Sequence, residues 1–196
     1  MSKVNINDYK VALVGNPNVG KSVIFGLLTG KYVAVSNYPG TTVEVSRGMC
    51  KGLGGGIEII DTPGANSHIP LSEDESVARD MLLEEYTKHI VQVADAKNLR
   101  RGLLVTSQLA EMGLPVVLVL NMWDELLDRG MNVDVEVLQE ILGAPVVKTI
   151  ATHKVGISAL FHAIPIAKIP NLPIDYGSLI EEGISRILKI LQGNTT

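Results

Sequence analysis

The chain has 196 residues, 46% of them hydrophobic and 19% charged, which suits one domain of ordinary size with a small appendage and excludes a disordered chain. A formal net charge of −4 argues against nonspecific nucleic-acid binding, which needs a positive face. The single cysteine, Cys50, excludes an intrachain disulfide and a cysteine-based zinc site and fits a reducing compartment.

Taken in chain order, Met1 to Tyr9 is polar and lacks the apolar centre of a signal peptide. Lys10-Val-Ala-Leu-Val14 is an apolar run that stops at Gly15, as a buried parallel strand does. Lys21 to Thr29 predicts a helix closed by Gly30. Val43 to Cys50 and Ile57 to Ile60 read as strands, and the link through Gly52 and Gly54 to Gly56 predicts an antiparallel hairpin. Ser72 followed by Glu75 resembles a capping box that starts a helix running to about Tyr86. His89 to Val93 is the next strand, and Asn98 to Met112 the next helix, ended by Gly113. Val116 to Leu120 is the most hydrophobic strand and is expected at the centre. It is far shorter than the roughly 20 residues of a membrane helix, so a soluble chain is expected. Val133 to Leu142 predicts a helix stopped by Gly143, Pro145 to Val147 a last short strand, and Ser158 to Ile164 a further helix.

Strands and helices alternate through residue 164. The predicted class is α/β, a mostly parallel six-stranded sheet with helices on both faces and one antiparallel edge hairpin. Pro165, Pro170 and Pro173 mark a boundary. It divides a main domain at 1–165 from a linker and C-terminal amphipathic helix at 166–196. In that helix Ile180, Ile184, Ile187, Leu188 and Leu191 form an apolar stripe that must pack on the main domain or on a partner.

Four loops carry the chemistry. Gly15-Asn16-Pro17-Asn18-Val19-Gly20-Lys21-Ser22 is a complete G-x-x-x-x-G-K-[ST] between a predicted strand and a predicted helix that continues with Val23. Its glycines let backbone N–H groups curl around phosphate oxygens, Lys21 meets the β and γ phosphates, and the Ser22 hydroxyl ligates magnesium. Asp61-Thr62-Pro63-Gly64 ends a strand, where a carboxylate holds magnesium through water opposite Ser22 and the Gly64 N–H reaches the γ-phosphate. Asn121-Met122-Trp123-Asp124 follows the central strand. Asp124 there accepts from guanine N1–H and N2 together, a pair that adenine lacks. Thr149-Ile150-Ala151 follows the last strand, and the Ala151 N–H is placed to meet guanine O6.

These loops, in this order, resemble the translation-factor-related class of small GTPases. From about Val11 to Ile164 the chain is more closely similar to one family, the cytoplasmic G domain of FeoB-type ferrous-iron transporters. The phosphate loop carries that resemblance together with Ser36-Asn-Tyr-Pro-Gly-Thr-Thr-Val-Glu44, Leu71-Ser-Glu-Asp-Glu-Ser-Val-Ala-Arg-Asp80, Lys97-Asn-Leu-Arg-Arg101 and Asn121-Met-Trp-Asp-Glu125.

The resemblance implies a Ras-like P-loop fold and magnesium-dependent GTP hydrolysis. It implies a first switch at 31–45, with Gly40 and Thr41 near the nucleotide and Thr42 closing over magnesium, and a second switch at 64–76. Lys21, Thr42, Gly64 and Asn18 are the catalytic candidates. Asn18 matches a position that helps coordinate an activating potassium ion, while a purely loop-shaping Asn stays open beside that role. The expected partners are GTP and GDP, the transporter's membrane domain at the cytoplasmic face, and further copies of the chain; nucleic acid is not among them. The amphipathic helix resembles the start of the family's helical regulatory domain.

Three departures stand out. Ala65 replaces the water-orienting glutamine of Ras-type proteins, Met122 the lysine of Asn-Lys-x-Asp, and Ile150 a serine common in the guanine loop. Slow turnover, modest guanine affinity and fast exchange are expected. Two other readings remain at this point: a free-standing Era-like GTPase of ribosome or RNA maturation, and a module that holds nucleotide without turning it over. His68, His89, His153 and His162 lack ligand-like spacing, so no iron site is expected in this domain. Trp123 reads as a packing residue, and Glu73, Asp74 and Glu75 as a solvated helix start, with an influence on hydrolysis from beside the site open as the alternative.

Overall fold

The computed structural model describes residues 10–193 apart from 31–32, 53–55, 66–71, 85–86, 173 and 175. Met1 to Tyr9, the middle of the glycine link, His68 and parts of both predicted switch segments therefore lie outside the described residues.

Strand β1 (Lys10–Gly15) runs into the phosphate loop and helix α1 (Lys21–Thr29). Strands β2 (Val33–Asn37), β3 (Glu44–Met49) and β4 (Glu58–Asp61) precede α2 (Glu73–Glu84). Then come β5 (Thr87–Asp95), α3 (Leu99–Glu111), β6 (Val116–Asn121), α4 (Trp123–Asp128), α5 (Val135–Leu142), β7 (Val146–Lys148), α6 (Ile157–Ala163) and α7 (Ser178–Gly193). The seven strands lie in the order β2-β3-β4-β1-β5-β6-β7. The β2–β3 and β3–β4 pairs are antiparallel and all others parallel.

The sheet has one strand more than the pattern predicts. Every residue of β2 is exposed, so it carries no buried face to mark it as a strand; its pairing with β3 makes it one. Helix α4 is likewise unanticipated, and it places Asp124 in a first helical turn with Met122 as the preceding cap. At α2, by contrast, the capping signal holds: Ser72 Oγ accepts from the Glu75 N–H at 3.3 Å.

Alternation along the strands divides the core. Val11 and Leu13 of β1, with Val91, Val93, Val117 and Val119, pack on Ile24, Phe25 and Leu28 of α1 and Leu160 of α6. The intervening residues Ala12 and Val14 join Ile90, Val116 and the α3 residues Val105 and Leu109 on the opposite face. Strand β6 is buried from Val116 to Asn121, as a strand covered on both faces must be.

The proline-rich segment stays on the main domain beyond Pro165. Val116 N donates to Lys168 O at 2.8 Å, Asn171 N to Leu142 O at 2.7 Å, and Leu172 joins the cluster under α5. The stripe on α7 is not buried against the main domain, which leaves the second of the two expected partners, another chain. Ile180, Ile184, Ile187, Leu188 and Leu191 are exposed, and Leu179 is 84% exposed. Ahead of α7, the Tyr176 hydroxyl donates to Glu111 Oε1 on α3 at 2.5 Å.

Candidate nucleotide-binding site

The sheet brings the C-terminal ends of β1, β4, β5, β6 and β7 to one edge. The chain leaves β1 toward β4 on one side and returns to β5 on the other, so the loop after β1 sits at a topological switch point, where open α/β sheets bind ligands.

The phosphate loop is glycine-dependent at two positions. A Cβ on Gly15 would lie 2.3 Å from the Val93 carbonyl oxygen of β5. Gly20 has φ 85°, and a Cβ there would lie 2.4 Å from Asn121 Nδ2. Asn18 is also left-handed, with φ 64°, a conformation Asn tolerates better than most residues. Val19 is buried and Asn16 is 4% exposed, its Nδ2 donating to Ala65 O at 3.3 Å. Pro17 and Asn18 are exposed.

At the head of α1, the Lys21 ammonium pairs with the Asp61 carboxylate and donates to Thr62 O. Ser22 Oγ donates to the other Asp61 oxygen at 3.0 Å. Thr62 is fixed to β1, its Oγ1 donating to Leu13 O at 2.7 Å, and the Ala65 N–H donates to Gly15 O at 3.1 Å. The sequence-distant Asp61–Gly64 segment is thereby stitched to the phosphate loop. Together Asn16, Pro17, Asn18, Gly20, Lys21, Ser22, Val23 and Gly64 line a cleft of about 400 Å³, joined by Asp74 from α2.

A second cleft, of about 330 Å³, lies alongside. Asn121, Met122, Asp124, Glu125, Ile150, Ala151 and Thr152 line it, and it shares Asn18, Gly20 and Val23 with the first. Asn121, 3% exposed, is the joint between them. Its Nδ2 donates to Val19 O at 2.9 Å, and its Oδ1 accepts from Thr149 Oγ1 and the Ala151 N–H, each at 3.0 Å. Trp123 N donates to Thr149 O at 3.2 Å, which ties the Asp124 loop to the same strand end. The Trp123 ring packs at the edge of the α5 cluster with Lys148 Nζ 5.3 Å from its centroid, a packing role as expected.

Several of the predicted site residues serve the loops themselves in this structure. The Ala151 N–H is spent on Asn121, so it reaches a purine only by being shared. The side chains of Asn121, Val19, Thr62 and Thr149 are buried and hold the loops in place, and Asn121 also edges the second cleft. Gly40, Thr41 and Thr42 line neither cleft. They lie in the turn between β2 and β3, closed by Tyr38 N donating to Val43 O at 2.8 Å and Thr41 Oγ1 to Tyr38 O at 3.0 Å. The hairpin holds them because Val43 and Val45 are buried against Ile60, Val77 and Met81. Ala65 is 1% exposed and does not line the phosphate cleft. Of the three acids opening α2, Glu73 and Asp74 are exposed as expected, but Glu75 is 7% exposed.

Sequence reasoning missed Thr152 and the contacts of Lys97, and it left open the influence on hydrolysis of Asp74, which lines the phosphate cleft. The Lys97 ammonium is 2.6 Å from Glu125 Oε2 and 3.3 Å from Asp95 Oδ1, with its side chain 7% exposed. Desolvation pulls its pKa down, but the hydrogen bonds to Glu125 and Asp95 outweigh that and hold it above the ordinary lysine value. Among the described residues no three His, Cys, Asp or Glu side chains gather as a metal-ligand set, and no helix is long and apolar enough to cross a membrane.

Residues 9–164 match the family described as ferrous iron transport protein B. The chain belongs to the FeoB family. A Porphyromonas gingivalis fusion of Fe(2+) transport protein A with the Fe(2+) transporter FeoB is 41% identical over 192 residues, 94% of this chain and 23% of that protein. Among solved structures, a mutant of S. thermophilus NFeoB bound to GDP is 39% identical with TM-score 0.86, covering 96% of this chain and 74% of that one. The cytosolic domain of T. maritima FeoB in a GMPPNP form is 35% identical with TM-score 0.88, covering 96% and 76%. The chain spans about a quarter of the length of the curated FeoB relatives it matches. These relatives are FeoB proteins, so the Era-like alternative falls away.

Proposed function

We propose that this chain is a GTP-binding and GTP-hydrolysing switch, the cytoplasmic regulatory domain of a ferrous-iron transporter. The observation that carries the reading is the pair of adjoining clefts joined by Asn121. One is built of backbone amides and Lys21 for a polyphosphate, the other holds Asp124 for a purine edge. FeoB membership and the nucleotides named for the solved relatives support it.

The chemistry follows from the residues. Loop amides and the dipole of α1 meet phosphate charge, and Lys21 exchanges Asp61 for the β and γ phosphates. Ser22 and Asp61 present two hard oxygens 3.0 Å apart, which suits magnesium, and they would hold it. Bound there, magnesium would neutralise charge developing between the β and γ phosphates. Asn18, exposed at the junction of the clefts, would help hold a potassium ion that does the work of an arginine finger. Hydrolysis is slow without such help, because buried Ala65 offers nothing to orient water. The β2–β3 turn swings inward in the triphosphate state to bring Thr42 to the metal, and the segment from Gly64 into α2 answers loss of the γ-phosphate. Residues 166–196 begin a helical regulatory part that carries this movement toward the membrane domain of a full-length protein.

Calorimetry with magnesium and GTP or ATP tests the central claim. A strong preference for GTP is expected, and equal affinity for ATP would refute it. Single-turnover hydrolysis is expected to be faster in potassium than in sodium buffer; no turnover in either would leave a nucleotide-holding module instead.

A further inference from the structure

The loop that carries Asp124 is held in an unfavourable shape. Met122 has φ 59° and ψ 39°, a left-handed conformation for a side chain with no local hydrogen bond to favour it. It caps α4 with no side-chain bond, and Glu125 sets a second carboxylate beside Asp124 in the same first turn. Something must restrain this loop and balance that charge.

Parallel pairing of β5 with β6 seats Asp95 opposite Asn121, so the turn at Ala96–Asn98 lies against residues 122–125. Asp95 Oδ1 accepts from Lys97 N at 3.0 Å and Asp95 Oδ2 from Asn98 Nδ2 at 2.8 Å, which fixes the turn that presents Lys97. The Lys97 ammonium then reaches across to Glu125 Oε2 at 2.6 Å and Met122 Sδ at 3.5 Å. Exposed ion pairs contribute little, but this cation is almost wholly buried while Glu125 is half exposed, so the lysine is the constrained partner.

We propose that Lys97 is a positioning residue for guanine recognition: by clamping Glu125 and Met122 it holds the Asp124 loop in its bound geometry and removes the competing charge beside it. This inference rests on the guanine reading of Asp124 given above.

The test is nucleotide release from the intact chain with Lys97→Met, Lys97→Arg, Glu125→Ala and the Lys97→Met/Glu125→Ala pair. Lys97→Met is expected to speed GDP release on the order of tenfold, as loss of a charge-assisted bond predicts. It is also expected to narrow the ratio of GDP to IDP affinity. IDP lacks the N2 amine, so that ratio reports whether Asp124 is correctly aimed. Lys97→Arg keeps the charge and is expected to stay nearer the parent. Glu125→Ala is expected to act in the same direction, with the double variant no worse than Lys97→Met alone. GDP and IDP affinities falling together at constant ratio would show a merely structural lysine and overturn the inference, as would additive effects or an unchanged release rate. Should Lys97→Met fail to fold, Lys97→Gln, which removes the charge and lies outside the cleft lining, decides by the same ratio. A parent chain that does not prefer GDP over ADP would instead defeat the guanine reading itself.

Discussion

Asn121→Ala removes a carboxamide that is 3% exposed and bonded to Val19 O, Thr149 Oγ1 and the Ala151 N–H. The Val19 carbonyl and the Ala151 amide are left as buried orphans, each costing about 1–3 kcal/mol; the Thr149 hydroxyl can rotate and costs less. The sum is about 2–6 kcal/mol, a large share of the roughly 5–15 kcal/mol that stabilises a domain. Urea unfolding reads that loss as a lower midpoint with an unchanged slope. Because the same three bonds hold the two clefts in register, magnesium–GDP affinity is expected to fall in the folded fraction as well. Asp124→Ala is the control. Its carboxylate lines the cleft at partial exposure, so stability should move by less than about 1 kcal/mol while guanine preference is lost. A stability loss below about 1 kcal/mol in Asn121→Ala, with GDP binding intact, would refute the view that this residue is the joint of the site.

Three further outcomes are expected. Lys21→Ala should lower single-turnover hydrolysis by at least ~100-fold, the scale on which a positioned charge contributes to catalysis, and parental turnover would dismiss the phosphate-loop assignment. Asp124→Asn turns part of the acceptor pair into a donor, so competition binding should show GTP affinity falling by roughly two orders of magnitude and XTP affinity rising. Unchanged GTP affinity would contradict the guanine assignment. Gly20→Ala forces a Cβ to 2.4 Å from the locked Asn121 amide at φ 85°, and should destabilise the chain by about 1–3 kcal/mol in thermal unfolding. An unaltered melting temperature would show that the loop has more room than this geometry allows.

The loops at the heart of the site were legible in the sequence because their chemistry is local. The turn from Gly15 to Ser22 needs glycines, a cation and a hydroxyl within eight consecutive residues, and no distant partner alters that requirement. The same holds for the strand-to-loop steps at Asp61 and Asp124, for the Ser72 cap, and for the alternation of buried strands with amphipathic helices that fixed the α/β class.

What the sequence left undecided depends on pairing across long separations. Strand β2 is a strand only because β3 lies beside it, and its five exposed residues gave periodicity nothing to detect. Asn121 reads as a ligand contact in its motif, yet bonds to residues 102 and 30 positions away make it a brace. Ala151 commits its amide to that brace, and Thr42 sits in a turn anchored by the burial of Val43 and Val45, outside the lining of both clefts. Lys97 gains its partners only when β5 is laid parallel to β6. A backbone loop can be specified by its own residues; which of its hydrogen bonds remain for a ligand is settled by what the rest of the fold has already taken.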